Sequence, residues 1–224
     1  MAKRQKLRDR ILPSYTAGEE IFNMVTHIVG GALGIAYLVI CVVFAALRGN
    51  GYGVVSSAIY GASVIVLFTM SSVYHGVRPS TAKKVLQVID HCTIFFMIAG
   101  TYTPIALSAV RAQNVALGWV IFGIIWGMTA LAATFTAIDL NKYKKLSMIC
   151  YIGMGWCIAA FWNVTYSAIG FGGAALLIAG GVLYTLGAIL YVIGKKKKYI
   201  HSVFHIFVDL ASICHFLCIL FYVI

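Results

Sequence analysis

Seven stretches of this chain, at about 21–47, 53–76, 86–109, 115–138, 147–168, 172–193 and 201–223, stay apolar over the roughly 20 residues a helix needs to cross a hydrocarbon core of about 30 Å. The connections between them are too short to hold a second, water-soluble domain. Lipid cannot hydrogen-bond an exposed backbone, so runs of this length predict helices. Of the 224 residues, 62% are hydrophobic and only 10% are charged, which excludes an ordinary soluble domain. The expectation is all-α: an integral membrane seven-helix bundle over 21–224, preceded by a basic segment at 1–20.

The basic residues orient that bundle, because Lys and Arg near helix ends are retained on the cytoplasmic side. With the N-terminus inside, Lys3, Arg4, Lys6, Arg8 and Arg10, then Arg78, Lys83 and Lys84, then Lys142, Lys144 and Lys145, then Lys195 to Lys198 all fall on one side, and only Arg48 and Arg111 on the other. The asymmetry predicts a cytoplasmic N-terminus and an outside C-terminus. It also accounts for the net charge of +11, since anionic inner-leaflet lipid would meet these residues, and no nucleic-acid partner is expected. The opening "MAKRQKLRDRILPSY" has no short apolar core followed by a small-residue cleavage site, so it does not read as a removable signal peptide. The six cysteines form no CxxC pair and read as small buried hydrophobes. Gly30/Gly34 and Gly123/Gly127 have a spacing that permits close helix contact, and Pro104 is expected to bend the third span.

Against this background, "IHSVFHIFVDLASICHF" places three histidines and an aspartate inside the last span. An ionisable side chain costs roughly 2.5–3.5 kcal/mol at the centre of a spanning helix, so such residues are rarely idle. At 1.5 Å rise per residue, His201 and His205 lie roughly 4–5 and 10 Å past Lys198, His75 lies roughly 4–5 Å before Arg78, and Asp90 lies roughly 9 Å past Lys84. Ser71 is one turn deeper than His75. All five fall in one inner-leaflet layer. His201 and His205, at i and i+4, can turn two imidazoles to one ion, and His75 would supply a third. Three nitrogen ligands with an open fourth position are the donor set of a catalytic Zn2+, beside which a carboxylate such as Asp90 orients ligand or water.

These residues also carry a resemblance. "EEIFNMVTH" supplies Glu20, Asn23, Thr26 and His27 in the pattern E-x2-N-x2-[ST]-H, "SSVYH" supplies Ser71 and His75, "IDHCTIFFMIAGTYTP" supplies Asp90, and "HSVFH" supplies His201 and His205. In this order the series resembles the hemolysin III family of bacterial membrane proteins, the prokaryotic branch of the progestin and adiponectin receptor superfamily. The resemblance covers nearly the whole chain. It implies seven helices, a cytoplasmic N-terminus, and a zinc held by His75, His201 and His205 with a water near Asp90. The superfamily's receptors are similar to alkaline ceramidases, which implies a zinc-dependent amide hydrolase acting on lipid.

Glu20, Asn23 and His27, at i, i+3 and i+7, share one face of the first helix and form either a polar network behind the metal or a packing cluster at the helix start. His91 points about 100° away from Asp90, and His215 lies about 15 Å beyond His205, too deep for a ligand. Asp209 departs from the family pattern, either extending the polar cavity or sitting protonated between helices. The absence of HExxH, GxSxG and an intramembrane lysine sets aside zinc proteases, serine hydrolases and retinal proteins.

The functional expectation is hydrolysis of a lipid acyl amide or ester bond in the bacterial cytoplasmic membrane, with Asp90 as base and Ser71 hydrogen-bonded to water or oxyanion. The alternatives are a sensor or regulator of membrane lipid state with structural zinc, and a lytic membrane protein.

Overall fold

The structure, a computed structural model, describes residues 7–194 and 197–224. Lys3, Arg4, Lys6, Lys195 and Lys196, used above to orient the chain, lie outside the described residues.

Helix starts follow from local chemistry. In α1 (Ala17–Leu47), Thr16 and Glu19 form a reciprocal capping box, with the Thr16 hydroxyl accepting from the Glu19 N–H and the Glu19 carboxylate accepting from the Thr16 N–H. Asn50 caps α2 (Gly51–Gly76), Ser80 caps α3 (Thr81–Pro104) and Asn114 caps α4 (Val115–Ile138), each accepting a backbone N–H three residues on. After Pro104 the third span does not simply bend: it widens into a π-helical stretch, Ile105–Val110, and ends at Gln113. Then come α5 (Lys144–Gly155), a 3-10 turn (Cys157–Phe161), α6 (Trp162–Ile193) and α7 (Ile200–Cys218), which also ends in a π-helical turn, Ile219–Val223. Among the described residues there are no strands, and six helices are long and apolar enough to cross a membrane. The all-α, multi-pass expectation is met at that level.

The difference from the seven expected spans lies between Lys144 and Ile193, which form a single 50-residue helical stretch with no loop at the expected 169–171 boundary. Within α6 one residue leaves helical geometry. Gly170 has φ 65° and ψ −175°, a backbone region essentially closed to side-chain-bearing residues. The chain doubles back there, because the Trp156 indole N–H, before the glycine, donates to the Thr185 hydroxyl, after it, at 3.0 Å.

Helix α1 packs along α2, α2 along α3 and α6 along α7, and α1 also meets α7. Gly30 lets three helices meet: a Cβ there would fall 2.6 Å from the Phe68 ring of α2 and 2.7 Å from the Asp209 carboxylate of α7. Gly34 is likewise packed against Val64 and Ile65, as its spacing suggests. Gly123 and Gly127 are not: both are exposed on α4 and nothing stands within 4 Å of a Cβ, so that pair makes no helix contact within this chain. All six cysteines are free.

Candidate metal centre

Four helix ends meet at one end of the bundle, and they bring the unusual residues together. Glu20 of α1 accepts a hydrogen bond from His75 Nδ1 of α2 at 2.6 Å on one carboxylate oxygen and from Lys83 Nζ of α3 at 2.7 Å on the other. Glu19, one residue earlier, accepts from the Tyr199 backbone N–H at 2.7 Å and so anchors the start of α7 beside the start of α1. Tyr199 takes φ 59°, turning the chain into α7 so that His201 and His205 face inward.

His75, His201 and His205 are 3%, 7% and 1% exposed, and one ring nitrogen from each lies within 4.8 Å of the others. The expected three-imidazole cluster is therefore present. Hydrogen bonding sets which nitrogen is available. His75 uses Nδ1 on Glu20, leaving Nε2. The Thr26 hydroxyl donates to the backbone carbonyls of Phe22 and Asn23, so its oxygen accepts from His205 Nδ1 at 3.4 Å, again leaving Nε2. His205 Nε2 faces His201 Nε2 at 3.2 Å.

That donor set could hold a metal ion. With zinc–nitrogen bonds of 2.0–2.1 Å, tetrahedral geometry puts two ligand nitrogens roughly 3.3–3.4 Å apart, close to the His201–His205 separation. A carboxylate or hydroxyl on the far nitrogen is the usual support for a ligating imidazole, and Glu20 and Thr26 stand in those places on His75 and His205.

One side of the cluster is covered by the chain that precedes α1. The Tyr15 ring stacks on His201 at 4.9 Å and 20°, and Arg10, only 7% exposed, reaches the Lys84 carbonyl. Burial pushes the Tyr15 phenol above its ordinary pKa, so the cover is uncharged. In the other direction lies a cavity of ≈ 330 Å³. Its polar end is lined by Tyr15, His27, Ser71, Asp90, His201 and His205; the rest is mainly apolar, with Ile94 and Ile98 of α3, Ile105 just beyond it, Ile152 of α5, Ile158 of the 3-10 turn and Leu177 of α6, beside a few polar side chains such as Thr101 and Thr185. From Asp90 to Ile105 the α3 wall is roughly 22 Å long at 1.5 Å per residue. Tyr102 secures α5 to that wall, donating to the Gly155 carbonyl and accepting from the Ile158 N–H, both at 2.9 Å.

The other expected residues divide. Ser71 is 2% exposed and lines the cavity one turn from His75, and Asp90 lines it without joining the clustered ligand atoms. Of the three α1 residues expected behind the metal, Glu20 holds His75 directly and His27 stacks on His205 at 3.7 Å and 16°. The Asn23 side chain is fully buried and its amide has no hydrogen-bond partner. His91 lies outside the cluster: Nδ1 donates to the Gln87 carbonyl at 2.8 Å, so Nε2 accepts from the Tyr191 hydroxyl at 3.2 Å. His215 donates to the Leu177 carbonyl, and one Asp209 carboxylate oxygen faces Gly30 without a hydrogen-bond partner.

Four contributors were not assigned a role from sequence: Thr26, Tyr15, Tyr191 and Lys83. From sequence Lys83 reads as a headgroup-facing charge, yet it is 2% exposed. Its signal was periodic, since it precedes Gln87 and Asp90 by four and seven residues and so shares their inward face of α3. Tyr15 and Tyr191 gave no such signal, because their positions depend on how separate segments close over the cluster.

Comparison with known proteins shows the family. Residues 15–216 match the family model described as "Haemolysin-III related". The chain is similar to "Hemolysin-3" of Bacillus cereus, 36% identical over 206 residues covering 92% of each protein. It is similar to "Hemolysin-3 homolog" of Bacillus subtilis (strain 168), 35% identical over 208 residues covering 93% of this chain and 96% of that one. More distantly, it resembles human "Monocyte to macrophage differentiation factor", 28% identical over 170 residues, covering 72% of this chain and 68% of the human protein. The matched region takes in every residue of the histidine centre, and the chain belongs to the haemolysin III family.

Proposed function

We propose that the chain is a zinc-containing enzyme that hydrolyses an acyl amide or ester bond of a membrane lipid. One juxtaposition carries this reading: two of the three clustered imidazoles, His201 and His205, line a long, mainly apolar cavity that also has Asp90 and Ser71 in its wall. The volume falls within the roughly 300–1,000 Å³ of small-molecule sites, and the apolar length suits a single acyl chain.

His75, His201 and His205 would hold the ion, which when bound supplies Lewis-acid polarisation of the acyl carbonyl and a more acidic water. The chain's own residues do the rest. The apolar wall orients the acyl chain so that its carbonyl lies at the polar end. Asp90 accepts a proton from the attacking water as the water oxygen bonds to the carbonyl carbon. Ser71 donates a hydrogen bond to the carbonyl oxygen as negative charge builds there. When the carbon–nitrogen or carbon–oxygen bond breaks, Asp90 returns the proton to the departing amine or alcohol, leaving a fatty acid. Tyr15 excludes bulk water from the cytoplasmic side.

The same proposal sets the chain in the bacterial cytoplasmic membrane with seven crossings, the N-terminus inside and the C-terminus outside. Parity supports the count. Residues 144–193 start beyond α4, near where Arg10 and Asp139 interact, and end at Gly194 against His201, so both ends lie at the histidine end of the bundle. A segment that leaves and returns to one side crosses an even number of times.

A non-enzymatic reading, in which the metal clamps α2 to α7 in a sensor of lipid state, draws on the closure of the cluster behind Tyr15. A lytic role is suggested by the names of the Bacillus relatives. The deciding experiment measures zinc content and fatty-acid release from N-acyl and O-acyl lipids by detergent-solubilised wild type, Asp90→Asn and His205→Ala. Hydrolysis predicts about one zinc per chain, most of it lost in His205→Ala, and in Asp90→Asn retained zinc with turnover lower by about 10²-fold or more. Zinc retention without release from any lipid would favour the clamp, and release undiminished in both variants would exclude this site. Ion leakage from protein-containing liposomes would favour lysis.

A further inference from the structure

We propose that Lys83 is a positioning residue of the histidine centre, acting on His75 through Glu20. The inference rests on the metal reading above and extends it to a residue that touches none of the three imidazole rings through its charged end.

Lys83 is placed as few lysines are. It is 2% exposed, and a buried ammonium is strongly unfavourable unless it is paired and hydrogen-bonded. Here the account closes. An ammonium has three N–H donors, and three acceptors surround it: Glu20 Oε1 at 2.7 Å, the Val77 carbonyl at 2.9 Å and the His75 carbonyl at 3.4 Å. The Tyr74 ring lies 5.0 Å from the nitrogen, adding a cation–π contact. The two carbonyls belong to the last turn of α2 and to the residue that caps it, Val77, where helix geometry leaves carbonyls without intrahelical partners and favours a cation. One side chain thus joins three helices, holding α1 through Glu20 and the end of α2 from α3.

The consequence lies in Glu20. With Oε1 held by Lys83 and Oε2 by His75 Nδ1, both carboxylate oxygens are committed and the group cannot rotate away. His75 is thereby kept with its proton on Nδ1, its ring plane fixed, and Nε2 directed to His201 and His205. An apolar residue would fill the space equally well, but it would leave Glu20 Oε1 without a partner and the ring free to turn.

The test is a double-mutant cycle on the full chain in detergent: wild type, Glu20→Gln, Lys83→Met and the double variant. Zn2+ affinity is read by competition with a chromogenic chelator, and Co2+ absorption reports whether the same ligands are used. Glu20→Gln should weaken binding by about 10–100-fold and Lys83→Met by about 10-fold, with the wild-type Co2+ band positions retained. In the Glu20→Gln background, Lys83→Met should weaken binding by less than about 2-fold, because the group it acts through is already gone. Wild-type affinity in Lys83→Met would overturn the proposal. So would an equal loss in both backgrounds, the result expected if the substitution merely damages folding. Failure of wild type to bind zinc would remove the metal reading itself, an outcome distinct from the other two.

Discussion

Replacing Gly170 with alanine isolates one backbone conformation. In most glycine positions a new Cβ both collides with neighbours and changes local preference, so the two effects cannot be separated. At Gly170 nothing lies within 4 Å of the added carbon, while φ 65° and ψ −175° occupy a region available essentially to glycine alone. The whole cost is therefore torsional, of order 1–3 kcal/mol. For a chain of this size about 1 kcal/mol moves Tm by about 2–4 °C, so the expected fall is roughly 2–12 °C. Gly127→Ala is the matched control: it too has open space around the Cβ but lies within α4, where alanine gains up to about 1 kcal/mol of helix propensity, and its Tm should hold or rise. Intrinsic tryptophan fluorescence during heating in detergent reads both variants. It also watches the reversal directly, since the Trp156–Thr185 hydrogen bond spans 29 residues that a straight helix would stretch over roughly 43 Å. A Gly170→Ala protein that melts with or above wild type would show that the turn is not set by that residue, and the even-crossing argument would lose its hinge.

A reporter fused after Ile224 should be active outside the cytoplasm, and activity only in the cytoplasm would reverse the assigned orientation. Gly30→Ala should lower Tm through about 1–3 kcal/mol of overpacking, because its Cβ would lie 2.6 Å from Phe68 and 2.7 Å from Asp209; an unchanged Tm would mean that α1, α2 and α7 do not approach so closely. Tyr15→Ala should speed carbethoxylation of His201 in metal-free protein, while Tyr15→Phe, which keeps the stacked ring, should not. Equal rates in all three would remove Tyr15 as the cover of the site.

The amino-acid sequence by itself determined the solvent, the all-helical class and the layer in which three histidines gather. Apolar runs of membrane-spanning length leave a chain no option but helices, since lipid satisfies no backbone group. Within a helix the fixed rise and 100° turn assign each residue a depth and a face, which is why His75, His201 and His205 could be placed in one layer from two short segments. Tertiary structure decided what depended on contacts between segments distant in sequence. Gly123 and Gly127 have the same spacing as Gly30 and Gly34, yet only the latter pair meets another helix of this chain, because spacing records a face and not what lies against it. The break between the apolar runs at 147–168 and 172–193 was readable, but that a single glycine conformation at Gly170 stands there in place of a loop was decided by tertiary structure. Lys83 looked like a surface cation because its neighbours in sequence are polar; it is buried because Glu20, 63 residues away, and the carbonyls closing α2 supply three acceptors in one place. Buried charge is settled by such partners, and only the folded chain brings them together.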